Sequence, residues 1–128
     1  MLDETYASSL ETMNFAVHAV QKYIQENPEK DLSLGGLSER FHMNPSYLSR
    51  IFHQETGQRL SEYIIEVRMQ LAKNMLLETN KRIYEIAEQT GFGTVGYFTK
   101  VFHKYENCSP KNFRLMHTLE KCKESNGK

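Results

Sequence analysis

Two cysteines, Cys108 and Cys122, are too few for a disulfide scaffold in a chain of 128 residues. They make no metal-type pair with the scattered His18, His42, His53, His103 and His117, so no metal site and no cofactor is expected, and reduced thiols are the default. Long apolar runs are also missing. No stretch reaches the roughly eighteen residues that a membrane-spanning helix needs, and the opening Met1-Leu2-Asp3-Glu4 lacks the basic-then-apolar pattern of a secretory signal. The expectation is a cytoplasmic protein with no membrane partner. No nucleophile stands beside a general base and no glycine loop of the phosphate-cradling kind occurs, so the chain is not expected to be an enzyme. Net charge is absent too, sixteen basic residues balancing sixteen acidic ones. That is awkward for nucleic-acid binding, whose usual footprint is a basic domain. Distribution softens the objection: residues 1–40 hold seven acids (Asp3, Glu4, Glu11, Glu26, Glu29, Asp31, Glu39) against three bases, a balance of −4 that leaves +4 on the remainder.

What the chain does have is an internal repeat. Tyr47-Leu48-Ser49-Arg50-Ile51-Phe52-His53-Gln54 returns fifty positions later as Tyr97-Phe98-Thr99-Lys100-Val101-Phe102-His103-Lys104. Leu37 and Met43 find partners in Ile86 and Phe92 at a spacing of forty-nine, while Gly57, Leu60 and Tyr63 find Asn107, Pro110 and Phe113 at fifty, so one residue is inserted between the second-copy partners of Met43 and Tyr47. A fixed period defines the structural unit. The length suits one domain, or two very small units sharing a linker.

Leu10, Met13, Val17, Val20 and Ile24 recur at helical spacing and predict a first amphipathic helix from about Ser8 to Glu26, ended by Asn27-Pro28. Ser33 can cap a short helix carrying Leu34, Leu37 and Phe41. The turn at His42-Met43 matches Gly91-Phe92 in the second copy, and both places tolerate a left-handed residue, since His adopts positive φ more readily than most non-glycine residues. Asn44-Pro45 reads as N-cap and first helical residue of a helix to Thr56, ended by Gly57. A long helix follows over about 60–77, with Leu60, Ile64, Val67, Leu71 and Met75 as its apolar positions. Thr79-Asn80 breaks it. The second unit repeats the plan with a short helix carrying Ile83, Ile86 and Ala87, the turn Gly91-Phe92-Gly93, and a helix from Thr94 to Tyr105. Asn107 takes the left-handed cap, Ser109-Pro110 starts a last helix through Phe113, Leu115 and Met116, and a frayed polar tail follows from Glu120. The expected fold is all-α, about seven helices: two helix-turn-helix lobes at 8–58 and 80–117, a linker helix at 60–78, and a flexible tail at 118–128.

A short helix, a tight turn and a longer helix is the helix-turn-helix plan, in which the second helix enters the DNA major groove. Small polar and basic side chains must then face the base edges, while apolar ones anchor the reverse face. Ser46, Ser49 and Arg50 fit the outer role in the first copy, with Leu48, Ile51 and Phe52 behind. Gly96, Thr99 and Lys100 are their counterparts, with Phe98, Val101 and Phe102 behind.

At these residues the sequence resembles the DNA-binding domain of the AraC/XylS family of bacterial transcription regulators, from about Val17 to Arg114. The stretches that carry the resemblance are Pro45-Ser46-Tyr47-Leu48-Ser49-Arg50-Ile51-Phe52, Glu55-Thr56-Gly57, Ile86-Ala87-Glu88-Gln89-Thr90-Gly91-Phe92, Tyr97-Phe98-Thr99-Lys100-Val101-Phe102 and Ser109-Pro110-Lys111-Asn112-Phe113-Arg114. Within the family it looks most like the output domains of YesN-type response regulators. The resemblance implies two recognition helices in successive major grooves of double-stranded DNA, roughly 34 Å apart, held by the linker helix. It points to Ser46, Ser49, Arg50, Thr94, Val95, Gly96, Thr99 and Lys100 as base-facing, Arg50 being suited to a bidentate contact with guanine. Val95 and Gly96 depart from the polar residues common there and cannot donate a side-chain hydrogen bond, so the second half-site should be read more loosely, through thymine methyl contact, shape and backbone. Asn44, Tyr47, His53, Tyr97, His103, Lys104, Lys111 and Arg114 are the expected DNA-backbone contacts. Asn107 and Phe113, for the family's usual Gly and Tyr, are mild departures.

Plainer readings stand beside these. Tyr47, Phe52, Tyr97 and Phe102 could be stacking platforms, but aromatics at this spacing are more often core, as Phe52 and Phe102 are expected to be. His53 and His103 suit a surface position near phosphate, which would strengthen binding at mildly acidic pH. Glu62, Glu66 and Arg68 read as structural or solvated, and Lys104, Lys111 and Arg114 as either solvated charges or phosphate contacts. The family's sensors lie outside this domain, so a sensor or receiver domain is expected beyond this chain, which would be the C-terminal piece of a longer regulator and a monomer by itself. RNA polymerase is a further expected partner, and localisation at the nucleoid follows. A module used for protein contact is the alternative, kept alive by the zero net charge.

Overall fold

In the computed structural model the backbone is described over residues 2–126 and the side chains over 13–118. Seven α-helices and no strand occur among the described residues: α1 (Leu2–Glu26), α2 (Leu34–Arg40), α3 (Pro45–Thr56), α4 (Leu60–Glu78), α5 (Ile83–Gln89), α6 (Val95–Glu106) and α7 (Pro110–Asn126). They form two compact units that divide within α4, the first ending at Val67 and the second beginning at Arg68. The division falls inside the helix that the sequence assigns to the linker. Helix α1 starts upstream of the expected Ser8, since nothing between Leu2 and Ser8 is glycine or proline; Leu10 lies outside the described side chains. Helix α7 likewise runs to Asn126, past the expected end near Met116, because no glycine follows Pro110 before Gly127; Cys122 is outside the described side chains.

The helix ends are set by the residues the sequence puts there. Ser33 accepts from Gly36 N at 3.1 Å, Asn44 Oδ1 from Ser46 N at 2.9 Å, and Ser109 Oγ from Asn112 N at 3.1 Å. Gly57 (φ 73°) and Asn107 (φ 60°) close α3 and α6 in the left-handed region, each donating its N–H to the carbonyl of a histidine, His53 or His103. His42 (φ 54°) and Gly91 (φ 89°) hold equivalent places in the two helix-turn-helix turns. The inserted residue of the second copy is Gly93, also left-handed at φ 88°. Met43 N reaches Ser38 O at 2.8 Å in the first turn, and Gly93 N reaches Ala87 O at 3.0 Å in the second. The second turn thus holds one more residue between the same two helices and absorbs it with a second positive φ, which favours glycine.

The core of the first unit joins Val17, Val20 and Ile24 of α1, Leu37 of α2, Leu48, Ile51 and Phe52 of α3, and Leu60 and Ile64 of α4, with Leu32 from the loop. Met13 packs against its edge; Leu34, by contrast, is exposed. Tyr23 meets Phe41 edge-on at 5.8 Å, and Arg40 lies 4.2 Å from the Tyr23 ring centroid. Tyr63 packs on Phe52 at 5.4 Å and accepts a hydrogen bond from Gln25 Nε2 at 2.8 Å; burial pushes its phenol pKa up.

The second unit is built around an aromatic chain. Phe92, Phe98, Phe102, Phe113 and His117 follow one another at ring separations of 5.1, 5.7, 5.3 and 4.2 Å. Ile86, Ala87 and Val101 complete its apolar centre, and the buried Thr90 hydroxyl donates to Ile86 O at 2.6 Å. From α4 this unit buries Met69, Ala72 and Leu76, where the sequence pattern had pointed to Leu71 and Met75. The pattern Leu60–Ile64–Val67–Leu71–Met75 assumed one stripe at helical period. Each unit instead buries its own face, and only Leu60 and Ile64 of that stripe are buried.

Arg114, in the sequence a candidate for phosphate contact, faces the fold instead. Its Nε donates to Leu76 O at 3.0 Å and its NH2 group to Thr79 O at 3.2 Å, so the guanidinium caps the C-terminal carbonyls of α4. At the repeat spacing the same place in the first unit is the buried Ile64. Arg114→Met, which keeps the aliphatic stem, should cost about 1–2 kcal/mol of stability in urea unfolding, allowing for partial exposure of the pair of charge-assisted bonds. Unchanged stability with weakened DNA binding would return Arg114 to the phosphate backbone.

Candidate nucleic-acid interface

Helix α3 buries Leu48, Ile51 and Phe52, at positions i, i+3 and i+4, and so turns Ser46, Tyr47, Ser49, Arg50, His53 and Gln54 outward. Helix α6 does the same with Phe98, Val101 and Phe102 behind and Val95, Gly96, Tyr97, Lys100, His103 and Lys104 in front; Thr99 is half-buried. All the expected base-facing residues of each unit thus lie on or at the head of one helix. Tyr47 is 36% exposed and Tyr97 48%, which removes both from the core, whereas Phe52 and Phe102 are fully enclosed. Lys111 is exposed in the first turn of α7. Arg114 alone among the expected contacts is turned into the fold.

The two outer faces differ in chemistry. On α3 the Arg50 guanidinium carbon lies 5.5 Å from the Tyr47 ring centroid, one turn earlier, so the cation is held near its own helix before any ligand arrives. Asn44 Oδ1 is committed to the N-cap, accepting from Ser46 N and from Tyr47 N, which leaves the amide nitrogen as its outward donor. On α6 the corresponding cap is Thr94, whose hydroxyl accepts from Tyr97 N at 3.2 Å. Val95 follows at 41% exposure, an apolar residue in the first turn of a solvent-facing helix. A Cβ added to Gly96 would meet nothing within 4 Å, and the residue has no positive φ, so nothing in the fold demands glycine there. Lys104 lies 6.0 Å from the Tyr105 ring centroid.

The first unit also contains a groove beside α3 that the sequence did not disclose. It has a volume of about 650 Å³, with Ser49, Arg50 and His53 along one wall and Ser33, Arg59 and Ser61 along the others. The buried Leu32, Leu60 and Ile64 and the exposed Leu34 are its apolar lining. No carboxylate lines it among the described residues. The repeat puts Ser109 and Lys111 in the places of Arg59 and Ser61, so the pairwise match of the copies does not single these two out. No group of three or more His, Cys, Asp or Glu that could hold a metal ion occurs among the described residues, and no described helix is long and apolar enough to cross a membrane.

A family model described as a helix-turn-helix domain matches residues 37–116. The transcriptional regulatory protein YesN of Bacillus subtilis is 41% identical over 90 residues, which are 69% of this chain and 24% of that protein. The multiple antibiotic resistance protein MarA of Escherichia coli is 33% identical over 99 residues, covering 77% of this chain and 78% of MarA. Among solved structures, the C-terminal domain of AraT, a response regulator from Geobacillus stearothermophilus, is 35% identical with a TM-score of 0.77, covering 79% of this chain and 84% of that domain. The chain spans 11%, 24% and 52% of the length of three curated relatives that it matches. With two helix-turn-helix units built on one repeat, and with these likenesses over most of its length, the chain belongs to the AraC-type family of helix-turn-helix domains.

Proposed function

We propose that this chain binds double-stranded DNA sequence-specifically, with α3 and α6 as its two recognition helices in successive major grooves, and thereby regulates bacterial transcription. The observation that carries the proposal is the pairing of buried and exposed faces on those helices. Each is anchored by three enclosed apolar side chains, so its outer face is fixed in rotation and presents short polar and basic groups at its N-terminal half. The zero net charge is no obstacle, since the chain has +4 beyond residue 40 and the reading faces of both helices carry their bases outward. DNA binding, and not catalysis, is the role of this chain. As a domain of a longer regulator it would act in the cytoplasm at the nucleoid, downstream of a sensor or receiver domain, with RNA polymerase as a partner at the promoter.

Within this proposal Ser46, Ser49 and Arg50 read bases from α3, Arg50 pairing with guanine. Val95, Gly96, Thr99 and Lys100, with Thr94 at the cap, face the second half-site. Asn44, Tyr47, His53, Tyr97, His103, Lys104 and Lys111 contact the sugar-phosphate strands, while Arg114 is assigned to the fold. Because Val95 and Gly96 offer no side-chain hydrogen bond, apolar contact with thymine methyl groups and groove shape carry the second half-site.

Two measurements follow, both by titrating labelled duplexes. Arg50→Ala should relax preference at one base pair by about 1–3 kcal/mol, whereas Lys104→Ala should weaken all sequences alike and lower the salt slope by about one. Identical behaviour of the two variants would contradict the division into reader and anchor. Deoxyuridine in place of thymine removes only the methyl group; in the second half-site it should weaken binding by about 0.8 kcal/mol per contacted methyl, and Val95→Ala should abolish that sensitivity. Equal affinity for both duplexes would exclude methyl contact.

A further inference from the structure

Arg59 immediately precedes α4, and its carbonyl accepts from Tyr63 N at 3.0 Å, which makes it the N-cap residue of that helix. Arginine is poorly suited to this place: its side chain has no acceptor for the exposed N–H groups, and its charge meets the positive end of the helix. Fifty positions later the repeat puts Ser109, whose hydroxyl performs the cap. The reverse exchange occurs at the other short helix. Ser33 caps α2, and forty-nine positions later Arg82 stands at the N-cap of α5 with no side-chain cap bond. Each copy of the repeat therefore gives up one serine cap for an arginine, at a different one of its two caps. Neither guanidinium has a hydrogen-bond or ion-pair partner among the described residues. At α5 the Glu85 carboxylate takes up the Arg82 N–H at 3.4 Å, the reciprocal half of a capping box, but neither arginine side chain itself gains a partner in the fold, which points to a ligand.

We infer that Arg59 and Arg82 are sequence-independent phosphate anchors, one for each recognition helix, and that the groove beside α3 seats a stretch of the DNA sugar-phosphate strand. This rests on the DNA-binding reading and adds the strand contact to it. Arg59 lines that groove together with Arg50 and His53 of α3, and Ser33, Ser49 and Ser61 line it too. Two cations, a histidine and three hydroxyls without a carboxylate among the described lining residues complement a phosphodiester strand. The groove is continuous with the reading face of α3 because it shares Ser49 and Arg50 with it, so bases and backbone are engaged by one surface. In the second unit Arg82 replaces Ser33 and Lys111 replaces Ser61, while His103 and Lys100 repeat His53 and Arg50. The cationic positions thus move between elements in the two copies.

Arg59→Ser and Arg82→Ser in the full chain test this, because each swaps in the residue that the other copy already uses. Thermal unfolding should show a midpoint at or above that of the parent, since a cap is restored. Binding to a selected duplex and to an unrelated one should weaken by the same factor. The slope of log affinity against log salt should fall by about 0.9 for each variant, so that its deficit shrinks about 3.5-fold between 50 and 200 mM salt. An unchanged slope, or a lowered unfolding midpoint with unaltered binding, would overturn the anchoring role and make the arginines structural. A loss confined to the selected duplex would make them base readers instead. If the parent chain itself bound no duplex at low salt, the DNA-binding proposal would fail, a result distinct from the others.

Discussion

The anchoring of each recognition helix by three enclosed side chains is the constraint on which the rest depends. Leu48, Ile51 and Phe52 in the first unit, and Phe98, Val101 and Phe102 in the second, occupy one stripe and leave no freedom to rotate the helix about its axis. Full burial of a Leu, Ile, Val or Phe side chain contributes roughly 1.5–3 kcal/mol, so a stripe of three outweighs any preference of the exposed face. That face is then free to vary in chemistry. Ser46, Ser49 and Arg50 in one copy stand where Gly96, Thr99 and Lys100 stand in the other, behind which the same stripe is buried.

The turns serve the same end by fixing where the recognition helix begins. A left-handed residue at His42 or Gly91 redirects the chain, and Asn44 or Thr94 then caps the helix that reads. The extra Gly93 lengthens one turn while α6 still starts on a capped residue and buries the equivalent stripe. Electrostatics act on a different level. With zero net charge the molecule exerts little overall attraction, so the location of the bases matters more than their number. Placing arginine at two helix N-caps, at the expense of capping, fits a chain that must concentrate a limited positive charge beside its reading helices.

Much of this was legible in the sequence because it is local. Caps, left-handed turn residues and the i, i+3, i+4 stripes depend on neighbours within one or two turns, and Ser33, Asn44, Gly57, Asn107 and the two triads of core residues sit where the pattern put them. What escaped depends on distant partners. The buried face of α4 changes between Ile64 and Met69 because two different cores claim the same helix, which no single periodicity can represent. Arg114 looked like one more surface base in a basic segment; its carbonyl partners, Leu76 and Thr79, lie 38 and 35 positions earlier. The groove beside α3 needs the loop before α2, the face of α3 and the start of α4 together, and a comparison of the copies alone conceals Arg59 because its partner is a serine.

A chain with two reading heads of unequal strictness should leave that inequality in the DNA it selects. The decisive measurement is selection of bound duplexes from a random DNA pool, carried out with the intact chain at low salt. Two short motifs about one helical turn apart are expected, the one facing α3 sharply defined and containing guanine, the other tolerant and rich in thymine. Enrichment of a single motif, or of none, would contradict this, and the absence of any enriched sequence would favour a helix-turn-helix module used for protein contact.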